Sequence, residues 1–300
     1  MFCEIRFFKF ISNMPAPVVS ICIITYNQEK FLSECIESVL SQKINVPFEI
    51  VIGEDCSTDA TLSIAEMYAV KHPALIRLLP KENENMGMHK NWERTITNAD
   101  GKYVAIIEGD DMWIDPLKLQ KQIDVLDKFP EVGLSFTDAD VINEMDDKVF
   151  NNYVDVELPQ FPNFFLLLKK NFIPTCSVVY RKSAISFSSA FFKSPYADWF
   201  LHLSCAYKSV VHYSAGYLSC AYRLHANGIF GGSTSIQRLK RSLKFYKILQ
   251  KHYANDKTVL NNIKLLKIQL YDSMLKFYVQ NNRKWKAREI HYKVKLGLYC

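Results

Sequence analysis

Four short apolar runs organise the first third of the chain, each followed by a polar turn and, after the first three, by a helical pattern. Val18-Val19-Ser20-Ile21-Cys22-Ile23-Ile24 is continuous enough to be a strand buried on both faces. The polar turn Thr25-Tyr26-Asn27-Gln28 follows it. Phe31, Leu32, Cys35, Ile36, Val39 and Leu40 then recur at helical spacing. A second strand is predicted over Phe48–Gly53 and ends in Glu54-Asp55. Ser57, Thr58 and Asp59 offer caps to a helix carried by Leu62, Ile64, Ala65, Tyr68 and Ala69. Leu75–Leu79 reads as a third strand. Asn85-Met86-Gly87 breaks the chain, a helix runs through Trp92 to Ile96, Asp100-Gly101 turns, and Tyr103–Ile107 is the fourth strand.

This β-α-β-α-β-α-β alternation implies a parallel, doubly wound sheet with right-handed crossovers. Strand ends at residues 25–27, 54–55 and 108–111 then line one edge, where open α/β sheets bind ligands. The fourth strand is the most informative, because it empties into Glu108, Asp110 and Asp111, three carboxylates within four residues. Hard oxygen ligands at that density suit Mg²⁺ or Mn²⁺. Mg²⁺ is usually held by one or two carboxylates plus substrate phosphates, so a phosphorylated ligand is expected. The bland reading of the same segment is a solvated acidic turn.

Residues 116–230 read as mixed α+β. Pro116 suits the first turn of a helix over Leu117–Ile123. Val132–Phe136 and Ser177–Tyr180 pattern as strands, Ala197-Asp198-Trp199-Phe200-Leu201 opens a helix, and Tyr213–Tyr222 is a strand or hairpin leading into Tyr222-Arg223-Leu224-His225. Gly231-Gly232-Ser233 marks the last boundary. Beyond it Leu260, Ile263, Leu266, Leu270, Met274 and Phe277 fall at steps of three and four.

Composition narrows this further. The hydrophobic fraction of 49% and charged fraction of 23% are those of a soluble globular chain. The eight cysteines show neither Cys-x-x-Cys nor zinc spacing, so they read as small buried residues in a reducing compartment. No apolar run is long enough to cross a bilayer, and residues 1–13 lack the apolar core of a signal peptide. They read as an adventitious upstream start or a small interfacial anchor. The net charge of +6 conceals an asymmetry: residues 236–300 carry +13 and the rest −7. Such a basic tail on an acidic body points to an anionic partner.

Taken together, the motifs resemble a family. Val19-Ser20-Ile21-Cys22-Ile23-Ile24-Thr25-Tyr26-Asn27 resembles the opening strand of family 2 inverting glycosyltransferases of the GT-A fold. Glu49–Asp59 is similar to their second strand and its acidic end, Asn85-x-Gly87-x-x-x-Asn91 to their Asn/Gly element, and Glu108-Gly109-Asp110-Asp111 to their D-x-D-D metal motif. The likeness runs in order from about residue 18 to residue 128 and continues more loosely through Asp198-Trp199 and Tyr222-Arg223-x-His225. Glu54 and Glu108 depart from the family's aspartates, which leaves open what those two residues contact.

The resemblance implies an α/β chain of GT-A fold, with a Rossmann-like, mostly parallel sheet, a mixed acceptor-side half and a helical C-terminal extension. The implied divisions are an N-terminal extension at 1–14, a nucleotide-sugar-binding half at 15–115, an acceptor-binding half at 116–235 and a basic helical region at 236–300. It further implies a metal-dependent, inverting transfer from a nucleotide-sugar, UDP-linked, to a hydroxyl of a surface-glycan or lipid-linked acceptor, with Mn²⁺ or Mg²⁺ as cofactor. Asp110 would ligate the metal with His225, Glu108 would face the donor ribose or sugar, and Asp111 would support the loop or cap a helix. Asp55 would accept a hydrogen bond from the base. Thr25, Tyr26, Asn27, Glu29, Asn85, Gly87, Asn91 and Gly109 would shape the nucleotide pocket, and Arg223 would clamp phosphate. Asp198 is the expected general base, with a helix N-cap as its plain alternative. Expected partners are the donor, a glycan or lipid-linked glycan acceptor and an anionic membrane surface. No nucleic acid is expected, and placement is cytoplasmic, peripheral at the inner face of the cell membrane. Three competing functions are an inactive nucleotide-sugar-binding protein, which slow donor hydrolysis would exclude, a phosphohydrolase using an Asp-x-Asp nucleophile, against which Glu108 in the nucleophile's place argues, and a nucleic-acid binder using the basic tail, which salt-dependent retention on DNA would reveal.

Overall fold

The computed structural model describes residues 15–150, 152–225 and 234–295. The expected extension at 1–14 and the Gly231-Gly232-Ser233 break lie outside the described residues.

The first four strands, β1 (Val19–Thr25), β2 (Phe48–Glu54), β3 (Ile76–Leu78) and β4 (Tyr103–Glu108), lie in the order β3-β2-β1-β4 and all run parallel. Every residue of β1 is buried. Its period-two alternation divides the interior in two: Val19, Ile21 and Ile23 face one core, and Cys22 and Ile24 the other. In β4, Tyr103, Ala105 and Ile107 join the first core and Val104 and Ile106 the second. Helices Leu32–Leu40 and Lys118–Lys128 cover the first face with Leu32, Ile36, Leu119 and Ile123. Helices Met88–Thr97 and Ala197–Lys208 cover the second with Trp92, Ile96, Phe200 and Leu203. A strand that must be apolar on both sides explains why these runs are continuous rather than alternating.

Beyond β4 the sheet becomes mixed. β8 (Val179–Arg181) is antiparallel to both β4 and β6 (Val132–Ile142). β9 (Val210–Arg223) runs parallel to β6, and β5 (Met112–Trp113) closes the edge antiparallel to β9. A short β7 (Lys148–Phe150) pairs with β6. The β5–β9 register, with Met112 opposite Ala221 and Trp113 opposite Cys220, brings residues 222–225 beside the acidic loop at 109–111. The short helix Phe164–Lys169 is absent from the sequence reading, because Phe164-Phe165-Leu166-Leu167-Leu168 is an apolar run with no period to separate helix from strand.

The C-terminal region forms helices Ser235–His252, Lys257–Gln280 and Lys284–Lys295. The first opens on a capping box, Thr234 with Gln237. Phe245, Tyr246, Leu249, Val259 and Ile263 belong to the main core, and the Phe245 ring lies 4.7 Å from that of Trp199. Farther out, Tyr271, Met274, Tyr278, Ala287 and Ile290 make a smaller core between the last two helices. The apolar stripe read from the sequence is therefore shared between docking on the sheet-bearing body and holding the helices to each other.

Candidate active site

The carboxyl ends of β1, β2 and β4 open into one cleft of about 560 Å³, closed on the far side by the start of helix Ala197–Lys208 and the end of β9. Thr25, Tyr26, Asn27, Asp55, Asn85, Asn91, Glu108, Asp110, Asp198, Arg223 and His225 line it. Glu29, Gly87, Gly109 and Asp111, also expected at the site, do not line it.

The loops after β1 and β2 are laced by their own backbones. Asn27 and Cys56 both take positive φ, 52° and 59°, so the chain turns sharply after β1 and β2. Asn27 N–H donates to Ser57 Oγ at 2.9 Å, and Asn27 Oδ1 accepts from Thr58 N–H at 2.8 Å. Glu29 accepts from Ala60 N–H at 2.8 Å, so its carboxylate ties the loop to the next helix instead of facing the cleft. Glu54 accepts from the amides of Cys56 and Ser57 at 3.2 and 2.6 Å, which answers what this departure from the usual aspartate contacts. Asp55 accepts from Met86 N–H at 2.8 Å and Gly87 N–H at 3.0 Å, while Asn85 Nδ2 donates to the Asp55 carbonyl. The Asn/Gly element is thereby hung from the end of β2.

Two glycines are required sterically. A Cβ on Gly53 would lie 1.8 Å from Thr95 Oγ1, where helix Met88–Thr97 presses on β2. Asn91, buried there, donates Nδ2–H to the Gly53 carbonyl at 2.7 Å. A Cβ on Gly109 would meet Gln28 Oε1 at 2.7 Å and Thr25 Oγ1 at 2.8 Å, so Gly109 serves by letting the acidic loop fold tightly over β1.

Asp110 and His225 meet in the cleft wall with Oδ2 and Nε2 2.8 Å apart. The hydrogen bond to Asp110 raises the imidazole pKa above its ordinary value against the opposing effect of burial. Asp111 accepts from Arg223 N–H at 2.9 Å through one oxygen. Its other oxygen is buried with no partner. Burial, then the charges of Asp110 and Glu108, hold the Asp111 carboxyl well above the usual range. Burial, then Asp110 and Asp198, do the same to Glu108.

A divalent cation suits this donor set. Oxygen and imidazole nitrogen converge from Asp110 and His225, and positive charge would relieve the crowding of Glu108, Asp110 and Asp111. Among the described residues no group of three His, Cys, Asp or Glu side chains is placed to hold a metal ion by itself.

Arg223 departs from the expected phosphate clamp. Its guanidinium is almost wholly buried, paired with Glu34 at 2.6 Å and with Asp146, and its Nε–H donates to the Asp110 carbonyl at 2.8 Å. With those donors committed it braces the acidic loop instead of offering a fork to a ligand.

Asp198 is the second residue of its helix, whose N-cap is Tyr196, so it is not the cap itself. Burial raises its pKa, while nearby amides and the Asn171 side chain pull the other way. Asn171 Nδ2 donates to Asp198 Oδ2 at 2.8 Å. Tyr153, Trp92 and Tyr196 line the cleft without having been expected there, and Asn171 reaches Asp198 from behind it; they lie in loops or ordinary apolar patterns, and only the tertiary fold brings them together.

Comparison with known proteins bears on this geometry. The model for glycosyl transferase family 2 matches residues 20–187. An uncharacterised protein of Mycobacterium tuberculosis is 36% identical over 225 residues, 73% of this chain and 62% of that protein. The chain thus spans less than two thirds of that relative's length. The dTDP-rhamnosyl transferase RfbG of Shigella flexneri is 28% identical over 251 residues, covering 79% of this chain and 83% of RfbG. Among solved structures, the mannosyltransferase PcManGT of Pyrobaculum calidifontis in complex with GDP-Man and Mn²⁺ superposes with a TM-score of 0.60. It is 15% identical and is matched over 98% of this chain and 88% of its own, a likeness of fold.

Proposed function

This chain belongs to glycosyl transferase family 2, and from that premise we propose that it moves a sugar from a nucleotide-sugar, with UDP as the nucleotide, to a hydroxyl of a surface-glycan or lipid-linked acceptor. The observation that carries the reading is that polar residues from three parallel strand ends, with acids from two of them (Asp55, Glu108 and Asp110), share one cleft with Asp198 from the opposite wall. Its volume of about 560 Å³ lies within the range of small-molecule sites. The name of the Shigella relative, a transferase using another pyrimidine nucleotide, supports this choice of donor class.

In the proposed reaction the acceptor hydroxyl attacks the anomeric carbon. Asp198 takes the hydroxyl proton as the new C–O bond forms, and the bond to the diphosphate breaks on the opposite side, giving inversion. Asp110 and His225 would hold Mn²⁺ or Mg²⁺, whose charge would stabilise the leaving diphosphate. Arg223 keeps Asp110 in place through its carbonyl. Tyr26, Asn27, Asp55 and Asn91 form the nucleotide end of the cleft. Thermal shift with UDP and GDP, each with and without Mn²⁺, tests the reading. Saturating UDP at about 100 times its dissociation constant adds about 2.7 kcal/mol. UDP should stabilise the wild type more with Mn²⁺ than without. Asp110→Ala should lose that increment and keep its fold. A variant with an undiminished Mn²⁺ increment would remove Asp110 from the metal site.

The same reading extends to location. Among the described residues no helix is long and apolar enough to cross a membrane. Residues 236–300 nevertheless carry +13, and the last helix exposes Trp285 (66%) and Tyr292 (64%), two turns apart, with exposed Arg288 between them. Aromatic rings among basic side chains suit the interface of an anionic bilayer, where each Lys or Arg contributes about 1 kcal/mol. The proposed placement is cytoplasmic and peripheral, beside a lipid-linked acceptor. Sedimentation with anionic vesicles should occur at low salt, fall at high salt and weaken in Trp285→Ala/Tyr292→Ala. Equal sedimentation with neutral and anionic vesicles would assign the basic region to another partner.

A further inference from the structure

Asp198 and His202 are four residues apart on helix Ala197–Lys208 and so lie on one face of it. Asn171, in the loop after helix Phe164–Lys169, bridges them. Its Nδ2 donates to Asp198 Oδ2 at 2.8 Å, and its Oδ1 lies 3.3 Å from His202 Nδ1. The same Oδ1 accepts from Ile173 N–H at 3.3 Å, which pins the amide to its own loop.

The chemistry of the three groups leaves one consistent arrangement. An ionised carboxylate only accepts, so the amide NH₂ must face Asp198 and the amide oxygen must face His202. His202 is fully buried, and burial pushes its pKa down to about 3, so the ring is neutral at working pH. Its single proton then sits on Nδ1, where it meets the amide oxygen. Nε2, which has no hydrogen-bond partner, is the bare nitrogen, a cheaper group to leave alone than an N–H. His202 stacks on Tyr180 with ring centroids 6.1 Å apart, which fixes the ring plane.

We propose that Asn171, locked by His202, is a positioning residue: it holds one oxygen of Asp198 so that the other is presented to the acceptor hydroxyl. This rests on the reading of Asp198 as the general base. The Asn171 bond also favours the ionised form of Asp198, opposing burial, so the pair sets how much of the base is available near neutral pH. The other ionisable groups that feel the charge of Asp198 are Glu108 across the cleft and Tyr153, Tyr180 and Tyr196. Burial raises the pKa of all three tyrosines, which keeps them neutral.

The test is a titration of the Asp198 carboxyl by ¹³C NMR in the full chain, beside the pH profile of transfer. Asn171→Leu should raise the Asp198 pKa by about one unit and move the acid limb of kcat/KM by the same amount. The donor's thermal shift should stay unchanged. His202→Phe keeps the ring stack but removes the N–H, and should shift both in the same direction by less. An Asp198 pKa within 0.2 unit of wild type in both variants, taken as about the precision of the method, would overturn the proposal. If the carboxyl shifts while the acid limb does not, the hydrogen bond is as described and Asp198 is not the base. Should Asn171→Leu fail to fold, His202→Phe carries the same decision.

Discussion

The two walls of the cleft are built on different principles. On the donor wall, Glu54, Asp55 and Asp111 are each held by backbone amides, those of Cys56 and Ser57, of Met86 and Gly87, and of Arg223. On the acceptor wall, Asp198 accepts from amides at the start of its own helix and also from the side chain of Asn171 in a distant loop. An acid clamped by backbone amides is fixed as soon as the strand and its turn form, and it moves little. An acid held by a side chain can be adjusted by one substitution. A fixed donor site beside an adjustable acceptor site is the arrangement a transferase needs if the same donor chemistry is to serve different hydroxyls.

The largest effect should come from the acceptor wall. Asp198→Asn keeps size and the contact to Asn171 but cannot take a proton. A general base contributes about 10²–10⁴ in rate, so transfer should fall at least 100-fold while UDP with Mn²⁺ still stabilises the protein as in wild type. Transfer within threefold of wild type would mean that the proton leaves by another route and that the walls do not divide the work as described.

A smaller and opposite signature is expected from the donor wall. Glu54→Gln leaves one carbonyl oxygen where two carboxylate oxygens now accept two amides, and Cys56 must still hold its positive φ. Losing one charge-assisted bond at a buried turn should cost about 1–3 kcal/mol of stability, read from denaturant midpoints. The transfer rate of the folded variant should stay within a few-fold. A large loss of kcat with unchanged stability would show that Glu54 acts on the donor directly.

The same contrast explains what could be read from the sequence. Strand ends are legible because a strand buried on both faces must be a continuous apolar run, and the first polar residues after it must lie at the sheet edge. That logic finds Thr25, Asp55, Glu108 and Asp110 and leaves the structure only to say which ones face inward. It overreaches at Glu29, whose carboxylate is taken by Ala60 N–H, and at Arg223, whose charge is consumed by Glu34 and Asp146. No local pattern announces that two acids 189 and 77 residues away will claim a guanidinium. Asn171 is illegible for the same reason: it is an unremarkable polar loop residue until tertiary packing brings it to Asp198, and His202, one turn along the helix of Asp198, gains its contact only through Asn171.

The smallest predicted effect concerns the protons of the donor wall. Glu108 and Asp111 have folded-state pKa values well above those of an unfolded chain, chiefly through burial. The folded state therefore binds more protons than the unfolded state over that interval, and stability must fall as pH rises through it. His225, raised by its bond to Asp110, contributes with the same sign: its stabilisation is present at low pH and lost as pH rises through its folded value. Two other groups bound the usable window. Burial lowers the pKa of His89, His202, His212 and His252, so below about pH 6.5 they destabilise the folded state and oppose the trend. Lys118, lowered to about 8 by burial, begins to oppose it above that point. Between about pH 6.5 and about pH 8 the melting temperature of the ligand-free protein should therefore decline. Asp111→Asn keeps the acceptor for Arg223 N–H while removing one buried acid, and should flatten the slope. Mn²⁺ with UDP should flatten it too, because a cation beside Asp110 stabilises the ionised forms. A melting temperature that rises across this window, or a slope unmoved by Asp111→Asn, would show that the donor-wall acids are not strained by burial and that the two walls differ in anchoring alone.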